Sequence, residues 1–252
     1  MDAIELQKLI RDTPDGGELT LPAGTIHGTL VINKSLTLVG AGPEHTTLDA
    51  AGRGPVIAVD GGDVTLKGLR ITGGKGRSGG GVSVDNGARV QLIECHLVGN
   101  AASTGRGGGV NVDKGAVRLS RCHLLENRAD EGGAIYVGGD AEGELEGCLL
   151  AQNSAERGGA VSVTDGANVL LENCRLDENH AARKGHHLFA YGSSARRPKI
   201  LLVQVVFAEV SADGASIVND SDFKAEIEVD GTVWPADSQN TAKVRRRRFT
   251  LH

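Results

Sequence analysis

The sequence predicts an all-β parallel solenoid, on three observations. Two residue types recur together at a fixed interval, apolar residues alternate with period two inside each interval, and turn residues separate the alternating runs. Cysteines stand at Cys95, Cys122, Cys148 and Cys174, and asparagines at Asn100, Asn127, Asn153 and Asn179. Each repeat is therefore 26 or 27 residues long, and each asparagine lies five residues beyond its cysteine.

Within a repeat the pairs Val82/Val84, Val90/Leu92 and Cys95/Leu97 alternate around Ser83, Gln91 and His96. The next repeat gives Val110/Val112, Val117/Leu119 and Cys122/Leu124. Such alternation turns one face of a strand inward, so each repeat supplies three short strands. Corners such as Asp85-Asn86-Gly87 and Asp113-Lys114-Gly115 separate them. A three-sided coil that pairs in parallel with its neighbours buries all three inward faces. The helical connection of leucine-rich repeats and the unit of a hexapeptide helix are both missing.

The remaining elements follow in order. Asp2, followed by Glu5, starts a helix whose apolar face is Ala3, Leu6, Leu9 and Ile10, so residues 1–12 form a cap over the first coil. Residues 13–235 then build about eight or nine coils, because Val64, Leu66, Leu69 and Ile71 extend the ladder backward and Ile200/Leu202 and Ile227/Val229 extend it forward. Residues 236–252 form a C-terminal cover and a basic tail, with Phe223, Trp234 and Phe249 concentrating ring area near this end. Composition agrees with this plan: 37 glycines supply corners, while only 3% of residues are aromatic within a 39% apolar total. The core is therefore expected to be aliphatic.

Charge and length exclude several function classes. The net charge is -5, and because Lys243 and Arg245 to Arg248 hold five positive charges, residues 1–242 carry -10. Such a body repels phosphate, so nucleic-acid binding is not expected apart from a contact by the Arg245–Arg248 run. No apolar run approaches the roughly 20 residues of a membrane span. The N-terminus lacks a basic start and long apolar stretch, so a cytoplasmic location is expected.

The segments Leu21-Pro22-Ala23-Gly24-Thr25, Ser35 to Gly42 and Gly68 to Gly74 resemble the opening of a right-handed parallel β-helix. The repeated Gly-Gly-Ala and Cys-x-Leu-x-x-Asn segments are similar to those of the pectate-lyase-like superfamily. The resemblance implies a right-handed single-stranded parallel β-helix solenoid. It also implies a choice among polysaccharide lyases, glycoside hydrolases, carbohydrate esterases, adhesins and noncatalytic scaffolds, which fold alone does not make.

The cysteines read as a ladder of packed thiols, since zinc ligands converge on a point whereas these are spread along the coil axis. The asparagines read as a second ladder whose amides bond their own turn and the stacked neighbour. An outward row of Arg70, His96, His123, Leu149 and Arg175 offers His96 and His123 for an anion or sugar. A second row of Ser83, Asn111, Tyr136, Ser162 and Phe189 offers Asn111, Tyr136 and Ser162 as a shallow sugar groove. Arg106 and the other basic loop residues offer an acidic ligand a corner; in that role Arg106→Ala would leave stability unchanged. Asp60, Asp85, Asp113 and Asp165 read as turn residues, and Glu144/Glu146 is an isolated acidic pair.

With no catalytic cluster evident, the sequence favours a noncatalytic scaffold or recognition module for a protein or polysaccharide. The alternative is a carbohydrate-active enzyme, either lyase or glycoside hydrolase. No metal or cofactor is expected, and calcium enters only under that alternative.

Overall fold

The computed structural model describes residues 1–192, 196–208, 215–219 and 225–232, with the backbone alone at 245–246. Phe223, Trp234, Phe249 and the side chains of the Lys243–Arg248 run lie outside the described residues. The fold is a right-handed parallel β-helix with a short N-terminal helix. Each full coil has three strands, as in Val110–Asp113, Ala116–Ser120 and His123–Leu125. Like strands of successive coils pair in parallel, giving, among the described residues, a first face of eight strands, a second of ten and a third of eight. The second face ends on Arg245–Arg246, paired with the strand Glu226–Asp230.

The inward positions form unbroken columns. Val82, Val110, Ile135 and Val161 stack on the first face, and Leu92, Leu119, Leu145 and Leu171 on the second. All eight are fully buried. Each such side chain contributes roughly 1.5–3 kcal/mol relative to exposure, so burial is spread evenly along the solenoid.

Corners fix the stack. The residue before each cysteine or asparagine adopts a left-handed backbone, even where it is not glycine: φ is 53° at Glu94, 52° at Arg121, 56° at Glu126 and 56° at Gln152. This conformation costs an ordinary residue on the order of 1–2 kcal/mol. The asparagine column offsets the cost. Asn127 Oδ1 accepts from both the N–H and the Nδ2 of Asn100, at 3.0 and 3.1 Å, while Asn127 Nδ2 donates to Leu97 O at 2.9 Å and Asn153 Oδ1 at 3.0 Å. The same pattern continues through Asn153 to Asn179. The column closes on the buried His187, whose Nδ1 lies 3.2 Å from Asn179 Nδ2 and whose Nε2 lies 3.0 Å from Ala208 O. These partners assign the proton to Nε2.

The cysteines are free and buried. Each thiol donates to a carbonyl of the preceding coil at 3.3–3.5 Å, as Cys122 does to Leu92. The Cys148 thiol is pushed up to about 12, first by its bond with Cys122 and then by burial, against the opposing bond with Cys174. At the N-terminal end of the column the bond from Cys122 holds the Cys95 thiol below its ordinary range, against burial, so what the four share is burial and packing.

At the N-terminal end the helix Ala3–Asp12 is capped by Asp2, whose Oδ1 accepts from the Glu5 N–H at 2.8 Å. It seats Leu6 and Ile10 on the core and approaches so closely that a Cβ at Gly28 would lie 2.5 Å from Ala3 Cβ. Leu9, expected on this covered face, is 42% exposed instead. The helix is short and tilted onto Leu6 and Ile10, which places Leu9 at its rim. Gln7 closes the open strand edge, with Nε2 donating to Val31 O and Oε1 accepting from the Val31 N–H. A side-chain amide thus takes the place of a neighbouring strand.

The loops after each asparagine form a fourth, narrow ladder in which Lys75, Ala101, Arg128, Ser154 and His180 stand in register. Beneath it Ala102, Ala129, Ala155 and Ala181 are buried. The ladder lies against the outer side of the first face, which corrects the expected groove. Asn111, Tyr136 and Ser162 are covered, with Tyr136 only 1% exposed. Arg106 lies over the tyrosine ring, 4.7 Å from its centroid, and the hydroxyl meets Thr164 Oγ1 at 2.5 Å. Burial raises the phenol to about 12, against the opposing pull of that bond and of Arg106. Arg106 and Arg157 flank the buried Glu131 at 3.3 and 2.6 Å. The arginine expected to face a ligand is thus tied into the loop layer. Glycines permit the close approach: a Cβ at Gly108 would strike the carbonyls of Arg128 and Gly133, each at 2.5 Å.

Three outcomes are expected. Asn127→Ala leaves two buried donors of Asn100 without their acceptor and should cost about 1–3 kcal/mol in chemical unfolding; an unchanged unfolding curve would refute the ladder's role. All four thiols should resist a maleimide probe until the chain is denatured, whereas fast labelling of the native protein would mean the column is open. Arg106→Ala removes one of two counter-charges from Glu131 and uncovers Tyr136. It should lower stability by roughly 1–3 kcal/mol, and a neutral result would restore Arg106 to the solvent-facing role.

Candidate functional site

With the first face covered, two outward surfaces remain. On the second face a groove of about 730 Å³ runs along the solenoid axis. Its central row is Thr65, Gln91, Arg118, Glu144, Leu170, Leu201 and Glu228, each in register with the next. These positions lie between inward valines and leucines, so strand alternation alone aims them outward. Leu170 and Leu201 give the row a half-buried apolar stretch between the carboxylates of Glu144 and Glu228.

Arg118 organises the centre. Its Nη2 contacts Glu144 Oε1 at 3.2 Å and Glu146 Oε2 at 3.7 Å. One nitrogen touching both keeps these carboxylate oxygens within about 7 Å of each other, with Glu144 in the groove lining and Glu146 two residues on along the same strand. The lining carries Asp63, Glu142, Glu144, Glu226 and Glu228 against Arg89, Arg118 and Lys199. Negative charges outnumber positive ones along the groove.

Sequence reasoning noticed Glu144 and Glu146 but passed over Gln91 and Arg118. The available signal was positional: all three of Gln91, Arg118 and Glu144 occupy the same place in the 26-residue repeat, directly before the inward Leu92, Leu119 and Leu145.

The third face carries the histidine row as expected. Arg70, His96, His123, Leu149 and Arg175 stand in register on successive strands. The His96 and His123 rings stack with centroids 4.4 Å apart and planes 9° from parallel. Glu44 reaches from a preceding loop to place Oε1 3.3 Å from His96 Nδ1. Arg175 is occupied by Asp177 at 2.8 Å. The two histidines are brought together, while Asn111, Tyr136 and Ser162 lie in the covered first face and Arg106 in the loop layer over it, with its side chain half exposed and paired with Glu131.

The aspartates at the remaining corner do turn work. Asp85 accepts from Ser83 Oγ at 2.7 Å and Asp60 accepts from Asn86 Nδ2. Among the described residues, no group of three or more histidine, cysteine, aspartate or glutamate side chains is arranged to hold a metal ion. Among those residues, too, no helix is long and apolar enough to cross a membrane.

Residues 44–201 match the family described as the right handed beta helix region. No curated protein matches at a significant level. Among solved structures the fold is similar to that of an alginate lyase from Paenibacillus sp. str. FPU-7, with a TM-score of 0.67 and 15% identity over 94% of this chain and 95% of that one. It is also similar to the pectin methylesterase PemA from Erwinia chrysanthemi, with a TM-score of 0.55 and 11% identity over 96% of this chain and 87% of that one. A pectin methylesterase mutant in complex with a hexasaccharide gives 0.57 at 11% identity, over 96% and 88%. At these identities the likeness is one of fold, and it is a fold found in carbohydrate-active enzymes. Because the family match runs over more than half of its length, the chain belongs to the right-handed β-helix family.

Proposed function

We propose that this chain is a carbohydrate-active enzyme that holds an extended glycan along the groove of the second face. The observation that carries this reading is the groove itself, which aligns polar and charged side chains with an apolar stretch at the spacing of the coils. A sugar chain needs such a combination, since its rings present apolar faces and hydroxyl edges together. The alginate lyase and the pectin methylesterases that share the fold support a glycan substrate by analogy.

Glu144, in the groove lining, and its neighbour Glu146 are the residues we assign to the reacting bond, and hydrolysis is the reaction we assign to this carboxyl pair. One carboxyl delivers a proton to the leaving oxygen while the other, as carboxylate, takes a proton from the water that adds to the anomeric carbon. Arg118 orients both. Excess negative charge along the lining disfavours a polyanionic substrate and favours a neutral glycan.

A recognition module is the second reading, favoured by the fact that Arg118 already occupies both carboxylates. A panel of neutral and uronate oligosaccharides, assayed for binding and for new reducing ends, separates the two. The enzyme reading expects products from a neutral glycan and a loss of turnover of roughly 10²-fold or more in Glu144→Gln, with binding retained. Binding without products in the native protein identifies the recognition module. Failure of every glycan to bind, or binding insensitive to Arg118→Gln and Leu170→Ala, overturns the groove as the site.

A further inference from the structure

The third face carries a separate device, around the cysteine corner from the groove. Arg70, His96 and His123 occupy one outward row on three successive strands. Parallel pairing repeats equivalent side chains about every 4.8 Å, and here it has pressed two imidazoles into a stack with centroids 4.4 Å apart. A stack this close, with Arg70 in register on the strand before it, gathers three nitrogen-bearing side chains on one outward row, a set that an oxyanion can bridge.

We propose that the Arg70–His96–His123 row is an acid-gated site for an oxyanion, the carboxylate, sulfate or phosphate group of a ligand.

The charges around the pair define the gate. Glu44 contacts His96 from the loop before the third-face strand Thr46–Asp49, and its side chain is 71% exposed, so it can yield to an incoming anion without unfolding anything. Arg70 stands one strand before the pair. On the other side the next strand contributes Leu149, which is uncharged. Glu94 and Arg121, at the corner that leads into the two histidine strands, are committed to each other at 2.9 Å. Thr72 Oγ1 beside the row is committed to Val98 O at 2.7 Å. Asp49 is held by His27 at 3.4 Å.

Burial first, then the neighbouring His123, holds His96 below the ordinary histidine range; Glu44 opposes this and Arg70 adds to it. The sign follows. At neutral pH His96 is uncharged, and Arg70 is the fixed positive charge of the row. As pH falls through the histidine range the row gains positive charge at a spacing where like charges repel. An anion bridging the pair relieves that repulsion, so it binds the protonated form more tightly and raises the apparent titration midpoints. Glu44 is the built-in counter-charge that the ligand displaces.

Proton–carbon NMR of the histidine Cε1–H groups, followed from pH 8 to pH 5 in the full chain, tests the site directly. Phosphate is compared with chloride at equal ionic strength. The midpoints of His96 and His123 should rise in phosphate by about half a unit or more, a preference of roughly threefold or greater for the protonated row. His27, bound to Asp49, is the internal control and should not move. In Arg70→Gln the rise should shrink, and in His123→Gln it should vanish at His96. Equal midpoints in the two salts, or an equal rise at His27, overturn the proposal. A second arm replaces phosphate with a sulfated oligosaccharide at the same anion concentration. A much larger rise assigns the anion to a glycan chain, and an equal one assigns it to the free ion. The result is independent of the groove on the second face, since Arg118→Gln should leave every histidine midpoint unchanged.

Discussion

The amide of each corner asparagine binds the coil before it and the coil after it, and the rest of the solenoid depends on that two-sided bond. Asn127 accepts from Asn100, donates to Asn153, and donates again to Leu97 O. A slip of one residue between coils would orphan all of these buried groups at once. It would also turn every inward leucine outward, because strand side chains alternate with a period of two. The column therefore specifies register at the place where the chain bends most sharply. It also explains the tolerance of left-handed backbone at Glu126 and Gln152, directly before Asn127 and Asn153. Strain there is held by the bonds made one residue later.

The inward architecture was legible because the solenoid asks the same question of each coil and receives the same answer. Leu92, Leu119, Leu145 and Leu171 meet one environment, so one residue type recurs. The loops were not legible for the complementary reason. The stretch from the corner asparagine to the next strand differs in length between coils, running from Asn100 to Val110 in one and from Asn127 to Ile135 in the next. Their folding back over the first face could not be read from periodicity. That one feature converted Asn111, Tyr136 and Ser162 from an outward surface into a buried layer, and it turned Arg106 from a recognition residue into the partner of Glu131. The histidine row escaped this error because nothing of comparable length follows the cysteine corner.

Pairing across coils also occupies part of the surface charge. Arg121 meets Glu94, Arg183 meets Glu156, and Arg106 and Arg157 share Glu131. The exposed pairs Arg121–Glu94 and Arg183–Glu156 each contribute on the order of 0.2–1 kcal/mol, so apart from the buried Glu131 the network sets where charge remains available more than it sets stability. On the second face Arg118 is shared between two carboxylates of one strand, leaving Glu142, Glu226 and Lys199 farther along the same lining. On the third face the charge stands at Arg70, beside the stacked pair His96 and His123.

A parallel helix offers a physical criterion for separating structure from chemistry along a single chain. Neighbouring coils present the same backbone at the same spacing, so packing alone favours repetition. Gln91, Arg118, Glu144 and Leu170 stand side by side next to an inward column that stays Leu92, Leu119, Leu145 and Leu171, so repetition kept on the inside of these strands has been given up on the outside. Variation is not sufficient by itself. Ser83, Asn111, Tyr136, Ser162 and Phe189 vary just as much, but each fits a loop of different shape lying over it. Only when variation coincides with solvent access does it point to a ligand, and on this molecule those conditions meet in the groove of the second face.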